Sequence, residues 1–314
     1  MRTPLLYPRS FKGFIFDWDG VIAETRLDFS LIRERFFGGR RVPLIEGAKT
    51  LPPPERDAVM EAVRAEEMRG AALSTPVPGA SALISQLDLL GIPWCVMSRN
   101  CRESIDAAAQ AIGFTLPPLT WGREAEFVKP DPRAFSSAAA AMGVCVSDCL
   151  VIGDFLYELM GARRAGARCV LVNRRDEECE SYADASFATL AEFAAVYAED
   201  RPLVPWEYRR AAESCGVGSL VAMHKKCVVV DRHLDAKTLQ LLENLASRGL
   251  GTLQAPQRNV TAAELADTPG LAPSLLGRPL RDALAQLMQA RYPLLTIEDG
   301  ADGVPLSQFE AQHE

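Results

Sequence analysis

Histidine is scarce in this chain of 314 residues, which has three of them, His224, His233 and His313, all late in the sequence. That scarcity argues against a histidine-rich metal centre. Long apolar runs are missing as well, because no stretch reaches the roughly 18 uncharged residues of a membrane-spanning helix. The first residues lack the apolar segment of a secretory signal peptide, so the sequence predicts a cytoplasmic protein without a membrane partner.

The cysteines and the charge balance exclude two further classes. The eight cysteines include no Cys-x-x-Cys pair, and most lie in apolar surroundings, as Cys95 and Cys169 do, which indicates reduced thiols. A net charge of −7 argues against a nucleic-acid partner. The hydrophobic content of 48% is ordinary for a globular protein. The length predicts about two domains.

Strands and helices alternate along the first two-thirds of the chain. Apolar runs at residues 13–16, 92–97, 149–152 and 169–172 are typical of buried strands, and helical patterns separate them. Continuous apolar strands of this kind need helices on both faces of the sheet. The sequence therefore predicts an α/β fold built on a parallel sheet.

Two segments lie outside this alternation. Residues 28–74 contain helical stretches, the first of them at residues 30–37. Charged residues and prolines interrupt the pattern near residues 198–206, which indicates a domain boundary. The rest of the chain predicts a smaller α/β unit that includes a β-hairpin made from residues 220–222 and 227–230.

Asp17 and Asp19 follow the first predicted strand and form the first of four polar motifs. Side chains two residues apart lie on the same face of a strand, roughly 6–7 Å apart along the chain. Two carboxylates held so close repel each other, so a cation or a proton must neutralise one of them. The pair suits an ionised nucleophile beside a carboxyl group that acts as acid and then base. A surface turn explains the pair equally well.

The second and third motifs offer groups that bind anions. Ser98-Arg99-Asn100 lies between a predicted strand and a helix, where a hydroxyl and free backbone N–H groups form an anion site. A capping box of Asn100 and Glu103 is the alternative. Lys129 lies in Val-Lys-Pro-Asp-Pro, whose prolines fix the backbone. Its ammonium group either points at an anion or belongs to a solvated loop lysine.

The fourth motif is Gly153-Asp154, with Glu158 four residues later. Open parallel sheets bind ligands at the carboxyl ends of their strands, where Asp154 is expected. A helix cap is the alternative role for this residue. All four motifs can converge on one edge of one parallel sheet.

The motifs Phe-Asp-Trp-Asp-Gly-Val-Ile, Ser-Arg-Asn, Val-Lys-Pro-Asp-Pro and Val-Ile-Gly-Asp, in this order, resemble those of the haloacid dehalogenase superfamily. Within it, the phosphoglycolate-phosphatase-like branch is the most similar, over about residues 11–190. The resemblance implies a Rossmann-like catalytic core of residues 1–27 and 75–197, with a small helical cap at residues 28–74 inserted after the first strand. Residues 198–314 form a C-terminal α/β domain outside the resemblance.

The resemblance further implies a Mg²⁺-dependent phosphomonoester hydrolase in which the catalytic nucleophile Asp17 forms an aspartyl-phosphate. Asp19 would protonate the leaving group and then activate water. The Ser98-Arg99-Asn100 motif and Lys129 would bind the phosphate, with the Ser98 hydroxyl and the Lys129 charge taking part in catalysis. The metal ion would be held by Asp17, the backbone carbonyl of Asp19, Asp154 and Glu158. Glu158 stands where many relatives carry a second Asp.

Arg40 and Arg41 follow Gly38-Gly39 inside the implied cap. On a mobile loop, their guanidinium groups would bind an anionic substrate. Solvated, salt-bridged arginines are the alternative. The expected partner is therefore a small phosphorylated metabolite, and phosphoglycolate is the first candidate by resemblance.

Three other functions are compatible with the sequence. A β-phosphoglucomutase-like phosphotransferase has the same four motifs. A phosphonate hydrolase of this superfamily uses a cap lysine, and Lys49 is the one lysine between residues 28 and 74. The third is a non-catalytic platform for residues 198–314. We expect that segment to be a dimerisation or regulatory module, which implies a homo-oligomer.

Overall fold

The structure is a computed structural model that describes residues 4–311, so His313 lies outside the described residues. The chain divides into two units. The first spans Tyr7–Leu203, and the described part of the second comprises residues 4–6 and 204–311. Each of the eight cysteines is free. No helix within residues 4–311 has both the length and the apolar character that crossing a bilayer requires.

The first unit alternates strands with helices. Its strands are β1 (Gly13–Phe16), β2 (Ala23–Glu24), β3 (Thr75–Pro76), β4 (Trp94–Met97), β5 (Thr120–Trp121), β6 (Cys149–Gly153), β7 (Arg168–Val172) and β8 (Ala185–Phe187). Its helices are α1 (Ser30–Phe37), α2 (Leu44–Ala48), α3 (Pro53–Ala72), α4 (Ala80–Leu89), α5 (Arg102–Ile112), α6 (Pro132–Ala141), α7 (Leu156–Ala165), α8 (Glu177–Tyr182) and α9 (Leu190–Glu199).

The main sheet of the first unit has the strand order β5-β4-β1-β6-β7-β8, and every neighbouring pair is parallel. This order confirms the predicted α/β fold with a Rossmann-like parallel sheet. Every residue of β1 and β6 is buried, as expected for central strands that helices cover on both faces. Because the strands run in one direction, their carboxyl ends meet at one edge of the sheet.

Residues 28–74 fold into the helices α1, α2 and α3, an insertion between β1 and the rest of the sheet. The chain enters and leaves the insertion through β2 and β3, which pair in antiparallel fashion. Gly38, at a φ of 58°, ends α1 in the left-handed conformation. The three helices bury an apolar cluster of their own, made of Ile32, Phe37, Leu44, Ala48, Val59 and Val63.

The second unit contains another parallel sheet, with the strand order β11-β10-β9-β12. Its presence confirms the predicted α/β character of this part of the chain. The strands are β9 (Cys227–Val229), β10 (Thr252–Ala255), β11 (Thr296–Asp299) and β12 (Val304–Pro305). The helices are α10 (Arg209–Cys215), α11 (Val217–His224), α12 (Ala236–Ser247), α13 (Ala262–Asp267), α14 (Leu280–Met288) and α15 (Leu306–Ala311).

The β-hairpin predicted for the second unit is wrong. Residues 220–222 lie in α11, and β9 pairs in parallel with β10 and β12. A short apolar run fits a buried helix as well as a strand, and periodicity alone does not separate the two. In α11 the buried residues are Leu220 and His224, which lie four positions apart on one helix face.

Candidate active site

The predicted polar motifs meet at the carboxyl edge of the main sheet. Asp17 directly follows β1, Ser98 directly follows β4, and Asp154 directly follows β6. These groups share one edge because β1 lies between β4 and β6. Lys129 reaches the same edge from the loop between β5 and α6, where its Nζ contacts Asp17.

Lys129 joins two of the buried carboxylates. Its Nζ donates to Asp17 Oδ1 at 2.6 Å and lies 2.6 Å from Glu158 Oε1. Burial alone lowers the pKa of this amine, but the carboxylates of Asp17 and Glu158 outweigh burial and raise it. The side chain is 3% exposed, so the alternative of a solvated loop lysine is wrong. Lys129 is a fixed positive charge inside the site.

Three carboxylates cluster beside Lys129. Asp17, Asp154 and Glu158 each present an oxygen within 4.8 Å of the others. Burial and the charge of Glu158 raise the pKa of Asp17, although Lys129 opposes the shift. The same two causes raise the pKa of Asp154 to about 6. Within the described chain, Glu158 Oε2 is buried without a hydrogen-bond partner. Oxygen donors that repel one another and include an unsatisfied atom fit a hard cation such as Mg²⁺.

Gly20 allows the chain to turn closely past this cluster. Its φ of 69° lies in the left-handed region, which glycine adopts without a steric penalty. A Cβ at this position would lie 2.5 Å from Asp154 Oδ2. The Gly20 carbonyl accepts a hydrogen bond from Asn173 Nδ2 at 2.6 Å, which fixes the turn. A side chain at position 20 would therefore displace an acidic residue of the cluster.

Asp19 has different partners from Asp17. The Thr25 hydroxyl donates to Asp19 Oδ1, and Asn100 Nδ2 donates to Asp19 Oδ2 at 2.6 Å. Burial raises the pKa of Asp19 to about 7, because it outweighs the opposing hydrogen bond from Thr25. A carboxyl group with this pKa can both give and accept a proton near neutral pH, as general acid–base catalysis requires.

Ser98 and Asn100 are buried at the end of β4. Asn100 N donates to Ser98 Oγ at 3.1 Å, and the hydroxyl keeps its own proton to donate. The predicted capping box is wrong. Helix α5 begins at Arg102, and Glu103 pairs with Arg64 at 2.6 Å. The Asn100 side chain is directed into the site instead.

Arg99, a predicted phosphate ligand, contacts protein acceptors. One terminal nitrogen donates to the Lys129 carbonyl at 2.8 Å, and the other lies 2.7 Å from both carboxylate oxygens of Glu46. The guanidinium lies 4.4 Å from the centre of the Tyr157 ring. Because Glu46 belongs to α2, Arg99 connects the sheet edge to the helical insertion.

Residues 11–166 match the family of haloacid dehalogenase-like hydrolases. This part of the chain belongs to that family. The chain is 25% identical over 179 residues to Hexitol phosphatase A of Escherichia coli strain K12, a match that covers 52% of this chain and 83% of the relative. It is 31% identical over 102 residues to a phosphoglycolate phosphatase of Caulobacter vibrioides, covering 32% of this chain and 43% of the relative.

A solved structure also shares the fold of the hydrolase domain. The crystal structure of a hydrolase from Pseudomonas syringae matches with a TM-score of 0.51 and 21% identity. The match covers 60% of this chain and 98% of that protein. The Rossmann-like architecture therefore agrees with the family assignment.

The hydrolase domain places further residues at the site that sequence analysis missed. Arg174 Nε donates to the Asp154 carbonyl at 2.5 Å, and Asn173 holds the turn at Gly20. Both residues follow β7, so the rule that parallel strands deliver polar residues at their carboxyl ends could have found them. Thr25 has no such signal, because its contact with Asp19 depends on the turn between them.

A cavity of about 850 Å³ borders the carboxyl edge of the main sheet in the hydrolase domain. On the sheet side its wall includes Asn100, whose side chain contacts Asp19. On the side of the helical insertion its wall includes Arg33 and Arg41. The cavity does not include Arg40, whose Nε donates to the Phe37 carbonyl at 3.1 Å at the end of α1.

Proposed function

We propose that this chain is a Mg²⁺-dependent phosphomonoester hydrolase that acts on a small phosphorylated metabolite of the cytoplasm through an aspartyl-phosphate on Asp17. The observation that carries the proposal is the contrast between two carboxyl groups two residues apart. Asp17 contacts the buried ammonium of Lys129 at 2.6 Å. Asp19 instead contacts the neutral Thr25 and Asn100. One group is suited to attack, and the other to carry a proton.

In the first step, a carboxylate oxygen of Asp17 attacks phosphorus while the bond from phosphorus to the ester oxygen breaks. Asp19 donates its proton to that oxygen, so the alcohol leaves neutral. The ammonium of Lys129 and the hydroxyl of Ser98 stabilise the charge on the phosphoryl oxygens. Charge stabilisation and positioning account for most of the catalysis of phosphoryl transfer.

In the second step, the ionised Asp19 takes a proton from water, and the water oxygen attacks phosphorus. The bond between phosphorus and Asp17 breaks, which releases inorganic phosphate and restores the carboxylate. Asp17, Asp154 and Glu158 would hold Mg²⁺, which supplies positive charge beside the negatively charged carboxylates and phosphate.

We propose that residues 28–74 act as a cap that encloses the substrate. A cavity of about 850 Å³ is in the size range of sites that hold drug-sized molecules, about 300–1,000 Å³. This volume favours a carbon body larger than that of phosphoglycolate, the first candidate. The relative named Hexitol phosphatase A, 25% identical to this chain, supports a substrate of sugar or polyol size.

The proposal predicts Mg²⁺-dependent phosphate release from at least one compound in a panel of phosphoglycolate, hexitol phosphates and sugar phosphates. Chelation of divalent cations should lower the rate by at least about 100-fold, because the clustered carboxylates then lack their counter-charge. Added Mg²⁺ should restore the rate. A colorimetric phosphate assay measures release, and chromatography of the products detects a phosphorylated isomer.

Two results would contradict this proposal. Formation of a phosphorylated isomer without free phosphate identifies a phosphotransferase. Release that is unaffected by chelation shows that the carboxylate cluster does not work through a divalent cation.

We propose that the second unit is an oligomerisation module. A chain of residues 7–203 should fold, since this unit buries its own sheet core. It should keep the phosphate-release rate of the full chain nearly unchanged and have a smaller assembly mass by light scattering. An insoluble or inactive product would show that the second unit is part of the catalytic fold. If the chain of residues 7–203 has the same number of subunits as the full chain, the second unit has no role in assembly.

A further inference from the structure

We infer that the substrate carries a second acidic group, a carboxylate or its equivalent, and that Arg33 binds this group from the helical side of the cavity. The inference rests on the proposed function, because it takes the cavity as the place where the phosphorylated substrate is held. It concerns Arg33 of α1, a residue outside the Arg40 and Arg41 pair that the sequence singled out.

Arg33 lines the cavity, and its guanidinium has no hydrogen-bond acceptor among residues 4–311. The residue is half-buried. Across residues 4–311, nothing accepts a hydrogen bond from its buried Nε. The guanidinium lies 6.0 Å from the centre of the Phe29 ring, which orients it without supplying an acceptor. Because the Nε is shielded, a ligand in the cavity meets the terminal nitrogens of the guanidinium, which a carboxylate would engage with charge-assisted hydrogen bonds.

The charge of the cavity wall also favours an anion. Two of its charged residues are already paired. Arg99 pairs with Glu46, and Glu67 pairs with Arg123 and accepts a hydrogen bond from a backbone N–H. The remaining charged groups of the wall are Arg33, Arg41 and Glu34. Among residues 4–311 these three side chains form no ion pair, and two of the three are cations, although Asp28, outside the wall, interacts electrostatically with Arg33.

The two ends of the cavity suggest how such a substrate would lie. At the sheet side, Asn100 lines the cavity and donates to Asp19 at 2.6 Å, so the phosphate end belongs there. Phe29 and Phe155 form apolar wall against which a carbon chain can pack. Arg33 then meets the opposite end of the substrate. A phosphorylated sugar acid of about six carbons combines these features.

Two ligands that differ in one group provide the test, 6-phosphogluconate and glucitol 6-phosphate. The first ends in a carboxylate where the second ends in a hydroxymethyl group. Their affinities are measured by calorimetry on the Asp17→Asn variant, which holds ligands without turning them over. We expect this variant to bind 6-phosphogluconate about tenfold or more tightly than glucitol 6-phosphate, as one hydrogen bond to a charged group provides.

In the Asp17→Asn variant, the second substitution Arg33→Gln should remove this tenfold preference by weakening only the binding of 6-phosphogluconate. Arg35→Gln is the matched control on the same helix, since Arg35 is exposed, packs on Phe36 at 4.8 Å and does not line the cavity. Unchanged binding of glucitol 6-phosphate shows that the Arg33 variant is folded. If the parent variant binds both ligands equally, or if Arg35→Gln has the same effect as Arg33→Gln, the inference is wrong.

Phosphate release by the wild-type chain separates this inference from the proposed function. Release from both compounds without any preference that depends on Arg33 leaves the hydrolase intact and overturns the acidic-group inference. Binding that depends on Arg33, without phosphate release from any phosphorylated compound, supports the acidic-group inference and contradicts the proposed hydrolase.

Discussion

Replacing Asp17 by Asn is expected to lower Mg²⁺-dependent phosphate release by about four to six orders of magnitude, the range that removal of single catalytic residues spans in other enzymes. The amide keeps the size of the side chain but cannot form the aspartyl-phosphate. Wild type and variant are compared under single-turnover conditions with the best substrate of the panel.

Stability distinguishes the loss of chemistry from the loss of fold in this variant. Burial and the Glu158 charge disfavour an ionised Asp17, and Lys129 keeps Glu158 as its partner at 2.6 Å. We therefore expect the melting temperature of Asp17→Asn to equal or exceed that of the wild type. Asp148→Asn is the matched control, because Asp148 precedes β6 at the amino end of the sheet and pairs with Lys12.

The two substitutions should give opposite results in the assay. Asp148→Asn should leave phosphate release unchanged. Asp17→Asn with a tenth of the wild-type activity would exclude Asp17 as the nucleophile and leave the nucleophilic role to another group.

The parts of the site that could be predicted from the sequence are those set by strand direction. Asp17, Ser98 and Asp154 each follow an apolar run, and parallel pairing brings the ends of such runs to one edge whatever the intervening loops do. Lys129 was predictable because two prolines follow it closely and the four motifs occur in a recognisable order. Each of these signals is a short stretch of sequence, although the residues they identify are far apart in the chain and meet only in the folded sheet.

Which arginine faces the cavity could not be predicted. Helix α1 has a block of charged residues between two pairs of apolar residues, and one of the apolar residues, Leu31, is exposed, so its pattern does not indicate which side faces the neighbouring elements. The sequence therefore singled out Arg40 and Arg41 after the glycine pair, and not Arg33. In the structure Arg33 lines the cavity and Arg40 caps the helix end. Side-chain direction on a short helix depends on tertiary packing that hydrophobic periodicity does not encode.

Lys129→Met is expected to lower the free energy of unfolding by about 3–5 kcal/mol in the absence of divalent cations, which is the usual cost of removing one partner from a buried ion pair. Methionine preserves much of the length of the side chain but leaves the buried carboxylates of Asp17 and Glu158 without their cation. Urea denaturation of both proteins measures the difference. Phosphate release should fall by about 10²–10³-fold, because a fixed charge near the phosphoryl oxygens is lost.

Mg²⁺ provides the sharper part of this test. If Asp17, Asp154 and Glu158 bind a divalent cation, then Mg²⁺ should stabilise Lys129→Met more than it stabilises the wild type, since the cation replaces part of the missing positive charge.

The matched control is Lys12→Met, which removes the lysine of an exposed pair with Asp148. Its denaturation midpoint should not change, with or without Mg²⁺, because exposed ion pairs add little stability. Equal destabilisation of the two variants, with no effect of Mg²⁺ on either, would mean that the carboxylate cluster neither depends on Lys129 nor binds a cation. The larger Mg²⁺ response of Lys129→Met alone would instead show that lysine and metal ion neutralise the same three carboxylates.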